Sequence, residues 1–201
     1  MFDRTDAGLR VFIGYNDLLL TTQNVGMDGG WLSLPGAAER VSRLFGGAEV
    51  AVMGQTPQSP YLPHIDESFV LLDGRTAVVT RLPGSTSDEA RELGGYAGQL
   101  ADLGYRVLTI DSTIESVRRY EASTNAVPFI ERTTGRRRII YPVFPAEVDP
   151  QAIGALSKAA LRGKGLHAWE VYASAGYEPL PVRDFAHVVG GASHCISNAL
   201  N

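Results

Sequence analysis

Short apolar blocks separated by turn residues recur along the chain and predict three successive units of the same kind. In each unit, two apolar stretches flank a turn, a longer segment has apolar residues at helical spacing, and a short apolar strand follows. The first unit has apolar stretches over 9–13 and 18–22, a helix over 36–45 and a strand over 48–53. The pattern therefore predicts a ββαβ unit near the start of the chain.

The second unit repeats this order with stronger local signals. An Asp-Gly pair at 73–74 predicts a tight hairpin between strands over 68–72 and 76–80. Ser87 or Asp88 is a suitable N-cap for a helix that ends before Gly104, and a strand over 105–110 follows. This unit carries the most direct sequence evidence for ββαβ order.

In the third unit, a hairpin is predicted over 127–131 and 138–144, with the turn at Thr133-Thr134-Gly135. Asp149-Pro150 resembles a helix start, because proline suits the first helical position. The apolar stripe of that predicted helix comprises Ile153, Leu156, Ala160 and Leu161, with Gly163 and Gly165 closing it and a strand over 169–173 following.

Repetition at this scale predicts blades packed around a centre, and thus an α/β propeller. We expect a single domain over residues 1–201, with repeats at about 6–63, 64–124 and 125–194 and a closing strand at 194–201. A further strand over 185–189 would lead into it. Equivalent positions of such blades should converge on the axis, and the polar residues there are Asp6, His64, Asp66, Asn125 and Cys195.

Composition narrows the classes of partner. The chain has 201 residues, 44% of them hydrophobic, and a formal net charge of -4, which gives no reason to expect nucleic acid or an anionic membrane as partner. The basic run Arg136–Arg138 follows Gly135 and is better explained as a solvated hairpin end. No apolar run reaches the roughly 18 residues of a membrane span. We expect a cytoplasmic protein, or a domain of a larger secreted effector.

Cys195 is the only cysteine, so it is either a buried packing residue or a nucleophile. With His64 it would make the minimal pair for a thiolate, and an Asp66 carboxylate beside them would suit a planar cation such as a guanidinium. If the segment is extended, His64 and Asp66 point the same way. A zinc site from His64, Asp66, His194 and Cys195 is the alternative, but no typical zinc-ligand spacing supports it.

These segments resemble the guanidino-group-modifying, or pentein, superfamily of arginine, agmatine and peptidylarginine deiminases. Residues 64–69, HIDESF, resemble its HxDE segment, and residues 190–198, GGASHCISN, resemble its terminal GGxxHC segment. Asp6-Ala7-Gly8 is similar to a degenerate EGG motif. The resemblance covers essentially the whole chain.

The resemblance implies a pentein-type α/β propeller of ββαβ blades that lacks one or more N-terminal blades, so that the chain is either a fragment or a shortened propeller. Cys195 would attack the guanidinium carbon to form a covalent thiouronium, His64 would act as acid and base, and Asp66 would hold guanidinium nitrogens. Asp6 and Asn125 would be further substrate-binding residues.

The implied products are a ureido compound of the citrulline type and ammonia, formed without a metal or an organic cofactor. Free and peptidyl arginine derivatives both remain open as substrates. An amidinotransferase, which uses an amine in place of water, and a catalytically silent binding module are the alternatives.

Overall fold

Each of the three predicted repeats forms a three-stranded sheet in the computed structural model of the chain. In every sheet the first two strands are antiparallel and the third is parallel to the second. The chain divides into two compact units, residues 1–65 and 66–201. The structure describes residues 1–5, 8–14, 34–54, 64–152 and 154–183.

The first unit contains one sheet and one helix. Strand β1 (Phe2–Thr5) pairs with β2 (Gly8–Gly14), helix α1 (Leu34–Leu44) follows, and β3 (Glu49–Met53) lies parallel to β2. The predicted helix and third strand of this repeat are confirmed. The left-handed φ of +69° at Gly46 marks the end of α1, because a glycine adopts this conformation without a Cβ clash.

The predicted first hairpin is wrong in its pairing. Strand β2 was expected to pair with residues 18–22, which lie outside the described residues, but its antiparallel partner is the upstream strand β1. The other side of β2 is taken by β3. Thr5 pairs with Gly8, whose φ of +127° favours glycine. The hairpin therefore joins β2 to the strand before it, and not to the strand after it as the sequence pattern indicated.

The second unit begins with a sheet that follows the prediction closely. Strands β4 (Phe69–Asp73) and β5 (Thr76–Arg81) form the hairpin, helix α2 (Asp88–Asp102) crosses over, and β6 (Arg106–Asp111) lies parallel to β5. The Ser87 hydroxyl accepts a hydrogen bond from the Ala90 amide at 3.2 Å, so the predicted N-cap is confirmed. The hairpin loop lies one residue later than predicted, since β4 includes Asp73.

After the short helix α3 (Ile114–Arg118), the third sheet is formed by β7 (Val127–Ile130), β8 (Arg137–Val143) and β9 (Glu178–Arg183). The crossover helix is α4 (Gly163–Ser174). The predicted hairpin is therefore confirmed, but the crossover that follows it was misplaced.

Two elements of the third repeat were predicted wrongly. Residues 169–173 belong to helix α4 and not to a strand, and residues 158–160 form only one turn of 3-10 helix where a full helix was expected. Gly165 lies inside α4 because the helix packs closely there: a Cβ atom would lie 3.1 Å from the Glu147 Cβ. Close tertiary packing, and not a helix stop, explains this glycine.

Strand β9 contains Pro179 and Pro181, and the sequence pattern predicted no element over these residues. It lies at the edge of its sheet, paired only with β8 among the described strands. The two prolines are two residues apart, so the backbone nitrogens of both can point away from β8. The residues between and beside them then keep the hydrogen bonds to β8.

The core of the second unit joins the inner faces of both its sheets to helix α4. The Tyr141 and Tyr172 rings pack with their centroids 5.3 Å apart at the centre of this core. The buried residues of this core include Val70, Val78, Ile110, Ile139, Val143 and Ala168.

None of the helices within the described ranges is long and apolar enough to cross a membrane.

The basic run at the third hairpin is balanced by carboxylates. The Arg137 guanidinium lies 2.5 Å from an Asp73 carboxylate oxygen, and Arg138 pairs with Glu131 at 2.7 Å and Glu178 at 3.1 Å. These arginines follow the hairpin turn at Gly135, as predicted. All three arginines of the run therefore lie within ion-pair distance of carboxylates of their own unit.

Candidate functional site

Asp66 lies on a single turn of 3-10 helix, Ile65–Glu67, immediately before β4. The stretch from residue 65 to residue 72 is otherwise buried, and Asp66 alone within it is partly exposed. The fold thus presents one carboxylate at the entrance of a buried strand. An extended segment, which was the condition for His64 and Asp66 to point the same way, is not found, because residues 65–67 form a turn of 3-10 helix.

Asn125 is held against Asp66. Its side-chain amide donates a hydrogen bond to the Asp66 carboxylate at 3.1 Å and a longer one to the Asp66 carbonyl at 3.4 Å. Asn125 lies two residues before β7, and Asp66 lies three residues before β4, so each occupies the entrance to the first strand of its repeat. These two positions of the second and third repeats are therefore adjacent in space. Asn125 itself is 0% exposed.

Two buried threonines fasten the same pair of turns. The Thr124 hydroxyl donates to the Glu67 carbonyl at 2.8 Å, and the Thr80 and Thr124 hydroxyl oxygens lie 2.9 Å apart. The Thr80 amide in turn donates to the Ser68 carbonyl at 2.9 Å. Buried hydroxyls satisfied in this way specify one arrangement of the chain. Sequence reasoning missed both threonines, since their partners are more than forty residues away.

The segment that leads to Asn125 begins at an unusual helix end. Helix α3 closes with Tyr120 at a φ of +59°, and the Glu121 amide donates to the Ser116 carbonyl at 3.0 Å, which is the bond of a Schellman motif. Glycine is the usual residue at this left-handed position. A tyrosine is unusual there and carries some backbone strain.

Helix α4 holds this segment from the other side. The Lys164 ammonium donates to the Glu121 carbonyl, and the Tyr172 hydroxyl donates to the Ser123 carbonyl at 2.7 Å. Burial raises the pKa of Tyr172 well above its usual value, so this hydroxyl remains a donor. The backbone that carries Asn125 is therefore fixed at two carbonyls by one helix.

Lys164 also forms a buried ion pair that the sequence did not reveal. Its ammonium lies 3.0 Å from a Glu147 carboxylate oxygen, and the two side chains are only 9% and 8% exposed. Burial raises the pKa of Glu147, while the charge and hydrogen bond of Lys164 act to lower it. The ammonium also lies 4.7 Å from the centre of the Phe144 ring. Because both charged groups are largely removed from water, loss of either side chain would leave the other charge buried and unpaired.

The other predicted site residues are placed as follows. His64 is exposed and belongs to the first compact unit, whereas Asp66 and Asn125 belong to the second. Asp6 and Cys195 lie outside the described residues, so their predicted roles stay predictions. The predicted strand at 185–189 lies outside the described ranges as well.

No group of three metal-binding side chains comes together in the part of the chain that the structure describes. His167 has a different role there, since its Nδ1 accepts a hydrogen bond from the Asp111 amide at 3.1 Å. The alternative zinc site would need His194 and Cys195, which lie beyond the described residues.

Comparison by sequence finds no matching protein-family model and no matching curated protein. Comparison with solved structures does find matches. A candidate arginine deiminase from Porphyromonas gingivalis superposes with a TM-score of 0.66 at 14% identity, over 93% of this chain and 52% of that one. Agmatine deiminase from C. jejuni superposes with a TM-score of 0.57 at 14% identity, over 96% and 52%.

A structure of a candidate peptidyl-arginine deiminase also matches, with a TM-score of 0.57 at 14% identity, over 97% of this chain and 55% of that one. The chain therefore spans about half the length of these solved structures. At such low identity the likeness speaks for the fold. The mixed α/β fold of this chain, with its small repeated sheets, resembles the folds of these arginine, agmatine and peptidyl-arginine deiminase structures.

Proposed function

We propose that this chain is a guanidino-group hydrolase of the deiminase type, acting on an arginine derivative through a cysteine thiolate. The proposal is supported by the deiminase-like fold and by the pattern of residues at the entrances of its repeats. One of the solved structures is an agmatine deiminase with substrate bound, so a small arginine derivative is the first substrate to test.

The proposed chemistry divides among three side chains. The Cys195 thiolate adds to the guanidinium carbon, the C–N bond to one amino group breaks, and His64 delivers the proton with which ammonia leaves. Water, deprotonated by His64, then attacks the thiouronium carbon and the C–S bond breaks, which returns the thiolate and leaves a ureido product. Asp66 binds guanidinium nitrogens through both steps, and Asp6 supplies a second carboxylate.

The observation that carries the proposal is the placement of Asp66. A carboxylate that is partly exposed within a buried stretch, and fixed by a donor from a neighbouring repeat, is pre-organised to receive a planar cation.

The test is incubation with arginine, agmatine and an arginyl peptide, followed by measurement of ureido product and ammonia. We expect product from at least one substrate, and its loss in the Cys195→Ala and Asp66→Asn variants. Asp73→Asn, which removes a carboxylate outside the site, is the matched control and should retain activity.

Two results would redirect the proposal. Product that forms only when an acceptor amine is added indicates an amidinotransferase. Absence of product from all three substrates, together with slow alkylation of Cys195 by iodoacetamide at neutral pH, indicates a silent binding module, because an activated thiolate alkylates rapidly.

A further inference from the structure

We propose that Asn125 is a positioning residue that holds the Asp66 carboxylate in the orientation needed to bind a guanidinium. The inference deepens the proposed function and rests on Asp66 being the cation-binding carboxylate. It departs from the sequence-based expectation that Asn125 itself contacts substrate.

Burial separates the two roles. Asn125 is 0% exposed, whereas Asp66 is partly exposed, so a ligand that arrives from solvent meets Asp66 and not Asn125. The Asn125 side-chain amide donates hydrogen bonds to Asp66, at 3.1 Å to the carboxylate oxygen and 3.4 Å to the backbone carbonyl. A side chain bound in this way acts on substrate through its neighbour.

The amide can position the carboxylate only if it is itself fixed. The Asn125 backbone amide donates to the Ala122 carbonyl at 3.1 Å, and the adjoining Ala126 amide donates to Thr124 at 2.8 Å. The Thr124 hydroxyl ties this turn to the Glu67 carbonyl, next to Asp66. These hydrogen bonds fix the turn that carries Asn125, and therefore leave little freedom in the donor that orients the Asp66 side chain.

Tyr177→Phe offers a matched control. It removes a buried hydroxyl that donates to the Leu72 carbonyl, in the same compact unit but near the other end of β4, whereas Asn125→Ala removes the donor to the Asp66 carboxylate. Both variants should unfold at lower urea concentration than the wild type. Only Asn125→Ala should also weaken substrate recognition, by about 10- to 100-fold in kcat/KM and mainly through KM, as expected for a hydrogen bond to a charged group.

Asn125→Asp gives a readout that a purely structural role would not move. It places a second carboxylate about 3 Å from Asp66, and two carboxylates so close share a proton. Activity should be lost at neutral pH and partly return as the pH falls, because the shared proton restores a donor between the two oxygens. Agmatine affinity, measured by calorimetry in a Cys195→Ala background, should follow the same order of variants.

The outcomes separate this inference from the proposed function. If the wild type turns over a guanidino substrate and Asn125→Ala matches it in kcat/KM and in agmatine affinity, the positioning role is overturned. If no substrate is turned over but agmatine binds with an affinity that depends on both Asp66 and Asn125, the positioning role stands and the hydrolase proposal fails. If none of arginine, agmatine and the arginyl peptide binds or reacts, both are overturned.

Discussion

Replacing Lys164 by methionine would remove the ammonium from a carboxylate that is almost fully buried. The Lys164 and Glu147 side chains are 9% and 8% exposed and their charged atoms are 3.0 Å apart. Removal of one partner from such a pair typically costs about 3–5 kcal/mol, since the remaining charge stays buried and unpaired. We therefore expect Lys164→Met to lower the free energy of unfolding by about that amount.

The pH dependence of this variant follows from Glu147. Burial raises the pKa of Glu147 and Lys164 opposes the rise, so the pKa increases further when the ammonium is removed. A carboxyl whose pKa is higher in the folded state than in the unfolded chain binds the proton more tightly when folded, and stability falls as the pH rises between the two values. The deficit of Lys164→Met should accordingly shrink as the pH is lowered from 7 toward 4.5, the ordinary glutamate value.

Urea unfolding followed by circular dichroism at pH 7 and pH 5 measures both effects. The double variant Lys164→Met with Glu147→Gln is the control, because it neutralises both partners and should recover much of the lost stability. A deficit under about 1 kcal/mol at pH 7, or one that does not change with pH, would refute the argument that Glu147 is held as a buried charge by Lys164.

Three further predictions concern packing, a buried hydroxyl and acid stability. Gly165→Ala should destabilise by about 1–3 kcal/mol in urea unfolding, because its Cβ would meet Glu147 at 3.1 Å, whereas Gly95→Ala on the open face of α2 should stabilise by about 0.5–1 kcal/mol; equal effects would contradict the packing argument. Tyr177→Phe should cost about 1–3 kcal/mol by the same measurement, because its hydroxyl donates to a buried carbonyl near the end of β4, and an unchanged midpoint would count against that bond. For Asp73, burial favours a higher pKa, but hydrogen bonds, first among them that from the facing guanidinium, bring the pKa below the usual 3.8. The stability that this carboxylate contributes is present above 3.8 and is lost as the pH falls through the lower folded value, so acid titration of Asp73→Asn should show a shallower loss than the wild type.

Local signals carried the sequence prediction where they were sufficient. Ser87 caps α2 because its hydroxyl needs only the amide three residues ahead, and the hairpin of β4 and β5 follows from a two-residue turn between two continuous apolar stretches. The repeat pattern was also informative, since it predicted that Asp66 and Asn125 occupy equivalent positions, and the structure shows the two side chains in contact.

The remaining features depend on contacts distant in sequence. Gly165 looked like a helix stop because nothing local records that Glu147 and Val143 lie against it. The Glu67 carbonyl that accepts from Thr124 is 57 residues away, and the Glu121 carbonyl that accepts from Lys164 is 43 residues away. No spacing rule identifies such partners. The first hairpin was misassigned because the true partner of β2 is the strand Phe-Asp-Arg-Thr, which has one apolar residue and no strand pattern, whereas residues 18–22 are mostly apolar.

The prolines of β9 bear on the behaviour of this protein in concentrated solution. An edge strand with free outward amides can recruit a strand from another molecule and start a growing sheet. Pro179 and Pro181 lack the N–H that such a recruit would need at two consecutive outward positions of β9. Among the described strands only β8 pairs with β9, and on its other side these prolines hinder pairing with another molecule.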